Sequence, residues 1–275
     1  MDLTSIIGLI AALGTVVVVM ILDGGSPAEL FAAPAAILLI FGGSLSATIV
    51  TTSMKTLSQM PKVIIKVFTI TKFDASGTID LLARLADKAR RDGLLGLEED
   101  SKKIEDKFLQ KGIMMVVDGV DPEQVAAIME TGIEQMRSRH KIGIGFFTSA
   151  GGFAPTFGIL GTVMGLINVL KQLDDPSKLG PAIASAFLAT LWGLLSANLI
   201  FLPIAGKLKA KDDEESRDRN MMLEGILSIQ AGENPRIVRD KLTAFLPPSA
   251  AKGEGQEAKG AEKKPAAGKP EKAKA

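Results

Sequence analysis

Two threonines and two prolines, set within long uncharged stretches, are the residues of this chain best suited to chemistry. Read every third or fourth residue, the stretch Ile142 to Leu170 places Gly151, Pro155, Gly158, Thr162 and Gly165 on one helical face. Pro155 has no N–H and its ring opposes the carbonyl four residues back, so Gly151 keeps an oxygen free to bind something else. Thr162 adds a hydroxyl two turns further on. A second stretch, Leu179 to Gly206, offers a matching face of Ala186, Thr190, Gly193 and Ala197, with Pro203 near its end. Hydroxyl and carbonyl oxygens suit a hard cation such as sodium, and they line a wet cavity equally well. Thr162 and Thr190 are therefore candidate transient ligands of Na+, and Gly151, Pro155 and Pro203 complete a candidate ion pathway. Packing is the competing account. Small residues at this spacing let membrane helices approach, Gly161 and Gly165 form a GxxxG pair, and a threonine hydroxyl often bonds back to its own helix.

Two further uncharged runs, Leu3 to Leu22 and Phe31 to Val50, bring the total to four. Each reaches the roughly 20 residues a helix needs to cross a bilayer, and in lipid only a helix satisfies its own backbone. The first run lacks a basic leader and reads as a span, not a cleavable signal. None of the four contains Asp, Glu, Lys, Arg or His. Ion-coupled proteins usually place an ionisable group in the membrane. If this chain conducts, the carboxylate must come from the membrane helix of another chain.

The elements around these runs follow from charge. Lysine and arginine gather after the second run (Lys55, Lys62, Lys66), before the third (Arg137, Arg139, Lys141) and after the fourth (Lys207, Lys209, Lys211). That side should be the cytoplasm, with both termini on it. The expected organisation is all-α and polytopic. Residues 1–50 hold two transmembrane helices and 51–141 a helical cytoplasmic domain. Residues 142–206 hold the two channel-lining helices, 207–248 a cytoplasmic helical segment and 249–275 a disordered tail rich in Lys, Ala, Gly, Pro and Glu. Within the cytoplasmic domain, Ile79, Leu82, Leu85 and Ala86 mark a helix over Thr78 to Arg91. Asp121-Pro122 marks a helix start, followed by a face of Val125, Ile128, Met129, Gly132 and Met136.

Composition excludes several functions. Among 275 residues, 47% are hydrophobic and the net charge is +1, so nothing marks a nucleic-acid partner. There is no cysteine, hence no disulfide or thiolate site. The one histidine, His140, lies between Arg139 and Lys141 and reads as a surface residue. No nucleophile–base pair, phosphate loop or metal-ligand cluster suggests an enzyme, and no cofactor is expected.

The segments FAPTFGILGTVMGL (153–166) and GPAIASAFLATLWGLLSANLIFLPIAGKL (180–208) resemble the last two spans of the flagellar stator proteins of the MotA/PomA family. ARRDGLLGLEED (89–100), MMVVDGVDPEQV (114–125) and EGILSIQAGENPRIVRDKLTAFL (224–246) resemble the family's cytoplasmic segments. The resemblance covers roughly residues 1 to 247. It implies a subunit of the bacterial inner membrane, five copies of which surround a dimer of a MotB/PomB-type single-span protein with a membrane aspartate. Ion flow, of Na+ or H+, would turn this ring and drive the rotor protein FliG. Pro155 and Pro203 match the family's functional prolines, and Arg90 and Glu98 its rotor-binding charges. Threonine at both 162 and 190 matches the sodium-driven members and favours Na+. Two alternatives remain: an ExbB/TolQ-like energiser of outer-membrane processes, and a non-conducting membrane scaffold. The energisers typically carry one span before their large cytoplasmic segment, whereas two precede it here.

Overall fold

A computed structural model describes residues 3–69 and 73–247, leaving the Ser5 side chain aside. The expected disordered tail lies outside the described residues. Within them all regular structure is helical: α1 (Leu3–Leu22), α2 (Pro34–Val50), α3 (Met54–Leu57), α4 (Met60–Phe68), α5 (Ala75–Asp92), α6 (Glu98–Ser101), α7 (Lys107–Val117), α8 (Pro122–Leu170), α9 (Pro176–Leu195), α10 (Leu202–Gln230) and α11 (Pro235–Thr243). Short 3-10 turns precede α2 and α6, and a π-helical turn, Ser196–Phe201, joins α9 to α10. The described chain divides into two compact units, one of residues 3–69 and 134–215 and one of 73–133 and 216–247.

The first unit holds residues 134–170 of α8 and 176–215 of the continuous helix Pro176–Gln230, two helices long and apolar enough to cross a membrane. Apolar α1 and α2, of 20 and 17 residues, accompany them. At 1.5 Å per residue these two extend about 30 Å and about 26 Å. Proline starts three of the four helices where its missing N–H costs nothing: Pro34 opens α2, Pro122 opens α8, and Pro176 opens α9 behind the N-cap Asp175. The core gathers Ile40, Met60, Phe146, Phe147, Ala150, Ala154, Ala197 and Phe201. The ring of Phe157 lies over Gly43, where a Cβ would come within 2.4 Å of it. The Trp192 indole donates to the Leu30 carbonyl at 2.7 Å and packs against Phe31 and Phe41, tying α9 to α2 and to the turn before it. Ser44 and Thr48, fully buried in α2, donate to carbonyls four residues back, so they carry no unmet polar group into the apolar interior.

The second unit is an ordinary apolar helical core. The predicted stripe of α5 is buried: Ile79, Leu82, Leu85 and Ala86. They join Leu109 and Ile113 of α7, Val125, Met129 and Ile133 of α8, Met222, Ile226 and Ile229 of α10, and Val238 and Leu242 of α11. Asp121 caps α8 as expected, accepting from the Glu123 N–H at 3.0 Å. The inward face of α8 is rotated from the expected one: Ile133 is buried, while Ile128 is 43% exposed. Asp106 caps α7, accepting from the N–H groups of Phe108 and Leu109, and both its oxygens meet Arg219 of α10 at 2.8 Å. The Arg219 guanidinium also lies 5.0 Å over the Phe108 ring.

This double use of Asp106 makes a prediction. Asp106→Ala loses both the cap and the ion pair and should lower stability by about 1–3 kcal/mol. Asp106→Asn keeps a capping oxygen and should lose about half of that. Denaturant titration of the purified chain checks both; an Asn variant as unstable as the Ala variant would show that the cap contributes nothing.

Candidate ion-pathway site

The expected faces of the third and fourth runs do meet, in antiparallel α8 and α9. Gly158 and Gly193 oppose each other across the seam. A Cβ added to Gly193 would lie 2.9 Å from the Ala154 carbonyl oxygen and 2.9 Å from Gly158 Cα, and one added to Gly158 would lie 3.1 Å from Ala189 O. Gly161 and Gly165 approach Ala189 and Ala186 at 2.8 and 2.6 Å by the same measure. The obstacles at Gly158 and Gly193 are backbone atoms, which cannot rotate away. Small residues are thus a requirement of the packing, as membrane helices without a hydrophobic drive toward each other demand.

That approach brings the two threonines into direct contact. Thr162 Oγ1 and Thr190 Oγ1 are hydrogen-bonded. Thr162 Oγ1 also lies 3.1 Å from the carbonyl oxygen of Gly158, on its own helix, and 3.1 Å from that of Ala186, across the seam. Back-bonding and interhelical contact therefore both occur at this residue. A hydroxyl has one proton, so Thr162 donates to one of these oxygens at a time. The result is four oxygens clustered in a half-buried seam with no formal charge.

The two prolines lie elsewhere on the helices. Pro155 is inside α8, half-buried, and α8 continues through it without interruption. Gly151, whose carbonyl Pro155 cannot engage, is buried, and a Cβ there would meet Leu202 at 2.7 Å and Phe201 at 3.4 Å. Gly151 therefore faces α10 and the π turn. Pro203 is the second residue after the π-helical turn, in the first turn of α10. The π turn, which widens the helix by one residue, was not expected from the sequence. The only local signal is Pro203, which cannot offer its nitrogen to a regular ladder. Ser196 and Asn198 in this turn spend their side chains on carbonyls of the preceding turn, Gly193 and Leu194.

His140 differs from the surface residue expected. It is 29% exposed in its side chain and bonds through Nδ1 to Asp212 of α10 at 2.8 Å. Asp212 is only 4% exposed and also faces Arg137 Nε at 3.5 Å; Arg137 reaches Asp213 at 3.3 Å. A carboxylate buried to that degree requires such partners. Residues 72 positions apart share this cluster, so no local pattern announced it.

The second candidate site is the hairpin after α5. Arg90 sits in the last turn of α5, exposed and without an ion-pair partner among the described residues. Gly93 then turns the chain at φ +76°, a conformation that favours glycine. Leu97 is fully buried and anchors the loop, while Leu95 is 77% exposed. Glu98 is exposed and bonds Lys102 at 2.8 Å, which holds its carboxyl below the usual range. Lys88 and Asp100 fasten the loop to α5 at 2.7 Å; that hydrogen bond raises the Lys88 pKa and lowers that of Asp100. The fastening therefore persists at neutral pH and is lost as pH falls through the lowered Asp100 pKa. Sequence reasoning named the two charges and missed the exposed Leu95 between them.

Known proteins share both the sequence and the fold. Residues 100–221 match the model of the MotA/TolQ/ExbB proton channel family, and residues 6–93 match the motility protein A N-terminal model. Motility protein A of Bacillus subtilis is 40% identical over 248 residues, covering 90% of this chain and 92% of that one. Chemotaxis protein PomA of Vibrio alginolyticus is 37% identical over 246 residues, covering 90% and 96%. Among solved structures, the flagellar MotAB stator complex of Bacillus subtilis superposes with a TM-score of 0.85 at 38% identity, covering 94% of this chain and 100% of that one.

The seam itself can be tested without background, because the chain has no cysteine. A Thr162→Cys, Thr190→Cys pair should oxidise to an intramolecular disulfide in native membranes. Adding Gly193→Leu, which collides with backbone, should reduce the yield at least several-fold. An undiminished yield would mean that Gly193 does not set the approach of the two helices.

Proposed function

The chain belongs to the MotA/TolQ/ExbB proton channel family and is a flagellar motor stator subunit of the MotA/PomA type; from that premise we propose that it conducts Na+ with a one-span partner and turns the ion flow into torque. The observation that carries this is the α8–α9 seam. Its four oxygens, from Thr162, Thr190, Gly158 and Ala186, are clustered in an uncharged helix pair. Sodium prefers several oxygen ligands, and a fixed negative charge must accompany it into low dielectric. The spans carry none, so a MotB-type partner supplies the aspartate. The similar stator of Bacillus subtilis is itself a MotAB complex, which supports a partner of that kind. The stator lies in the bacterial inner membrane with four spans, α1, α2, α8 and α9, and both termini in the cytoplasm. Five copies surround a partner dimer.

The chain's own residues act in three ways. Thr162 and Thr190 offer lone pairs when the partner's carboxylate is loaded, and return to bonding each other and the seam carbonyls when it is empty. Pro155 leaves the Gly151 carbonyl without its helical donor, and Pro203 with the π turn leaves the facing helix similarly adjustable, so the pair can alternate between two packings. Arg90, Leu95 and Glu98 form the surface that meets FliG. The two charges steer and register the rotor, and the exposed leucine supplies an apolar contact. The relatives of this chain are motor subunits, and no catalytic residue is assigned to it.

Two measurements test this. In liposomes, the chain with its partner should pass Na+ down a gradient, and the chain alone should not. Thr162→Ala should cut Na+ flux by an order of magnitude or more while the complex still assembles, since a buried hydroxyl ligand is worth about 1–3 kcal/mol. Flux from the chain alone, or flux carried by H+ and indifferent to Thr162→Ala, would overturn the sodium reading. In cells, Arg90→Glu should abolish or strongly slow swimming and leave Na+ flux unchanged. Normal swimming in Arg90→Glu and in its combination with Glu98→Lys would remove this surface from the rotor contact.

A further inference from the structure

Three tethers hold the short helix α6 after the hairpin, and they differ in what they can fix. Leu97, just before it, is fully buried in the core of the second unit. Ser101, at its other end, is buried too, and the Ser101 carbonyl oxygen accepts from Gln110 Nε2 of α7 at 3.2 Å. These two residues are four apart and lie on the inner side of α6, so they mark one line along that side. Two fixed points leave a body free to roll about the line that joins them. A helix of four residues has no rigidity of its own to oppose such a roll.

The third tether lies off that line. Asp100 Oδ2 accepts from Lys88 Nζ of α5 at 2.7 Å. Helix α5 is a firm base, because Ile79, Leu82, Leu85, Ala86 and Ala89 of its inner stripe are buried. Lys103 Nζ stands 3.6 Å from the other Asp100 oxygen, but it belongs to the turn just after α6 and moves with it. The Lys88 and Asp100 side chains are 32% and 31% exposed, and pairs that face water to that extent add little to stability. Their value lies in geometry. Arg90 rides on α5, whereas Glu98 opens α6 and is bonded to Lys102 at the far end of the same turn. The direction in which Glu98 projects relative to Arg90 therefore depends on the roll of α6.

We propose that Lys88 is a positioning residue: through Asp100 it sets the roll of α6 and so the placement of Glu98 relative to Arg90 on the rotor-binding surface. The inference rests on the rotor reading of that surface. Charges that register a partner must be held at a fixed spacing by neighbours that do not themselves touch it.

The test compares variants of the full chain, expressed with its one-span partner at parental membrane levels. Amide hydrogen exchange is measured on the purified complex and swimming speed in cells. Lys88→Met and Asp100→Asn should each raise exchange across residues 98–101 several-fold and leave the buried stripe of α5 as protected as in the parent. Each should slow swimming about twofold, since the rotor surface is displaced and not removed. The two changes combined should do no more than either alone, because they break one bond. Lys88→Arg, which can still donate to the carboxylate, should restore both readouts. Unchanged exchange in Lys88→Met, losses that add in the double variant, or Lys88→Arg as slow as Lys88→Met would overturn the proposal. So would lost protection throughout α5 and α7, since the pair would then hold the fold and not the roll of α6. Swimming separates this inference from the reading beneath it. If Arg90→Glu stops the cells and Lys88→Met swims at parental speed, the positioning role alone is wrong. If both swim normally, the rotor surface itself is wrong and the inference falls with it.

Discussion

The approach of α8 to α9 is limited by main-chain atoms, and the site depends on that limit. At Gly193 the nearest obstacles to a side chain are the Ala154 carbonyl oxygen and Gly158 Cα, each at 2.9 Å. A side chain that meets another side chain can change rotamer, but one that meets a backbone must push the helices apart. Every position in the seam is accordingly Gly, Ala or Thr: 154, 158, 161, 162 and 165 on one side, 186, 189, 190, 193 and 197 on the other. Two hydroxyls can touch across such a seam because nothing larger holds the backbones away. The contact between Thr162 and Thr190 is a consequence of glycine placement as much as of the threonines themselves.

That geometry also governs what the hydroxyls can do. Thr162 has one proton and three oxygens within reach, those of Gly158, Ala186 and Thr190. Moving the proton among them changes little in energy, because each arrangement leaves one bond made. An arriving cation would take lone pairs and leave the proton on whichever oxygen it does not use. The helices need not separate for this exchange, so the small-residue packing and an oxygen site are compatible. The two accounts raised by the sequence, tight packing and ion ligation, therefore do not exclude each other.

How much of this was legible in the sequence depended on the range of the interaction. The face of Gly151, Pro155, Gly158, Thr162 and Gly165 repeats at helical spacing, and so does the face of Ala186, Thr190, Gly193 and Ala197; both were readable because the signal is local. Asp121 as a cap and the buried stripe of α5 were readable for the same reason. The turn of α8 that buries Ile133 in place of Ile128 was not, because both are apolar and only the neighbours of the second unit decide between them. His140 with Asp212, and Asp106 with Arg219, join residues 72 and 113 apart, and charged residues give no periodic cue to their partner. The π turn before Pro203 leaves no compositional trace beyond the proline, since residue types tolerated in a π turn are those tolerated in the helix around it.

A threonine differs from a valine of the same shape by one polar atom, and that atom decides between the two accounts. In a dry seam a hydroxyl must be bonded or it costs about 1–3 kcal/mol. Packing alone would be served as well by alanine or valine at 162, which carry no such obligation. The hydroxyls here meet it by bonding each other and the seam carbonyls, so they are tolerated; tolerance, however, does not explain why both helices carry one at the same level. Their pairing is worth about 0.6–2 kcal/mol between membrane helices, where two methyl groups in contact gain no hydrophobic drive. On the proposed reading the pair adds one further capacity, to turn lone pairs toward a cation, and that capacity has a use only when another chain brings the opposite charge.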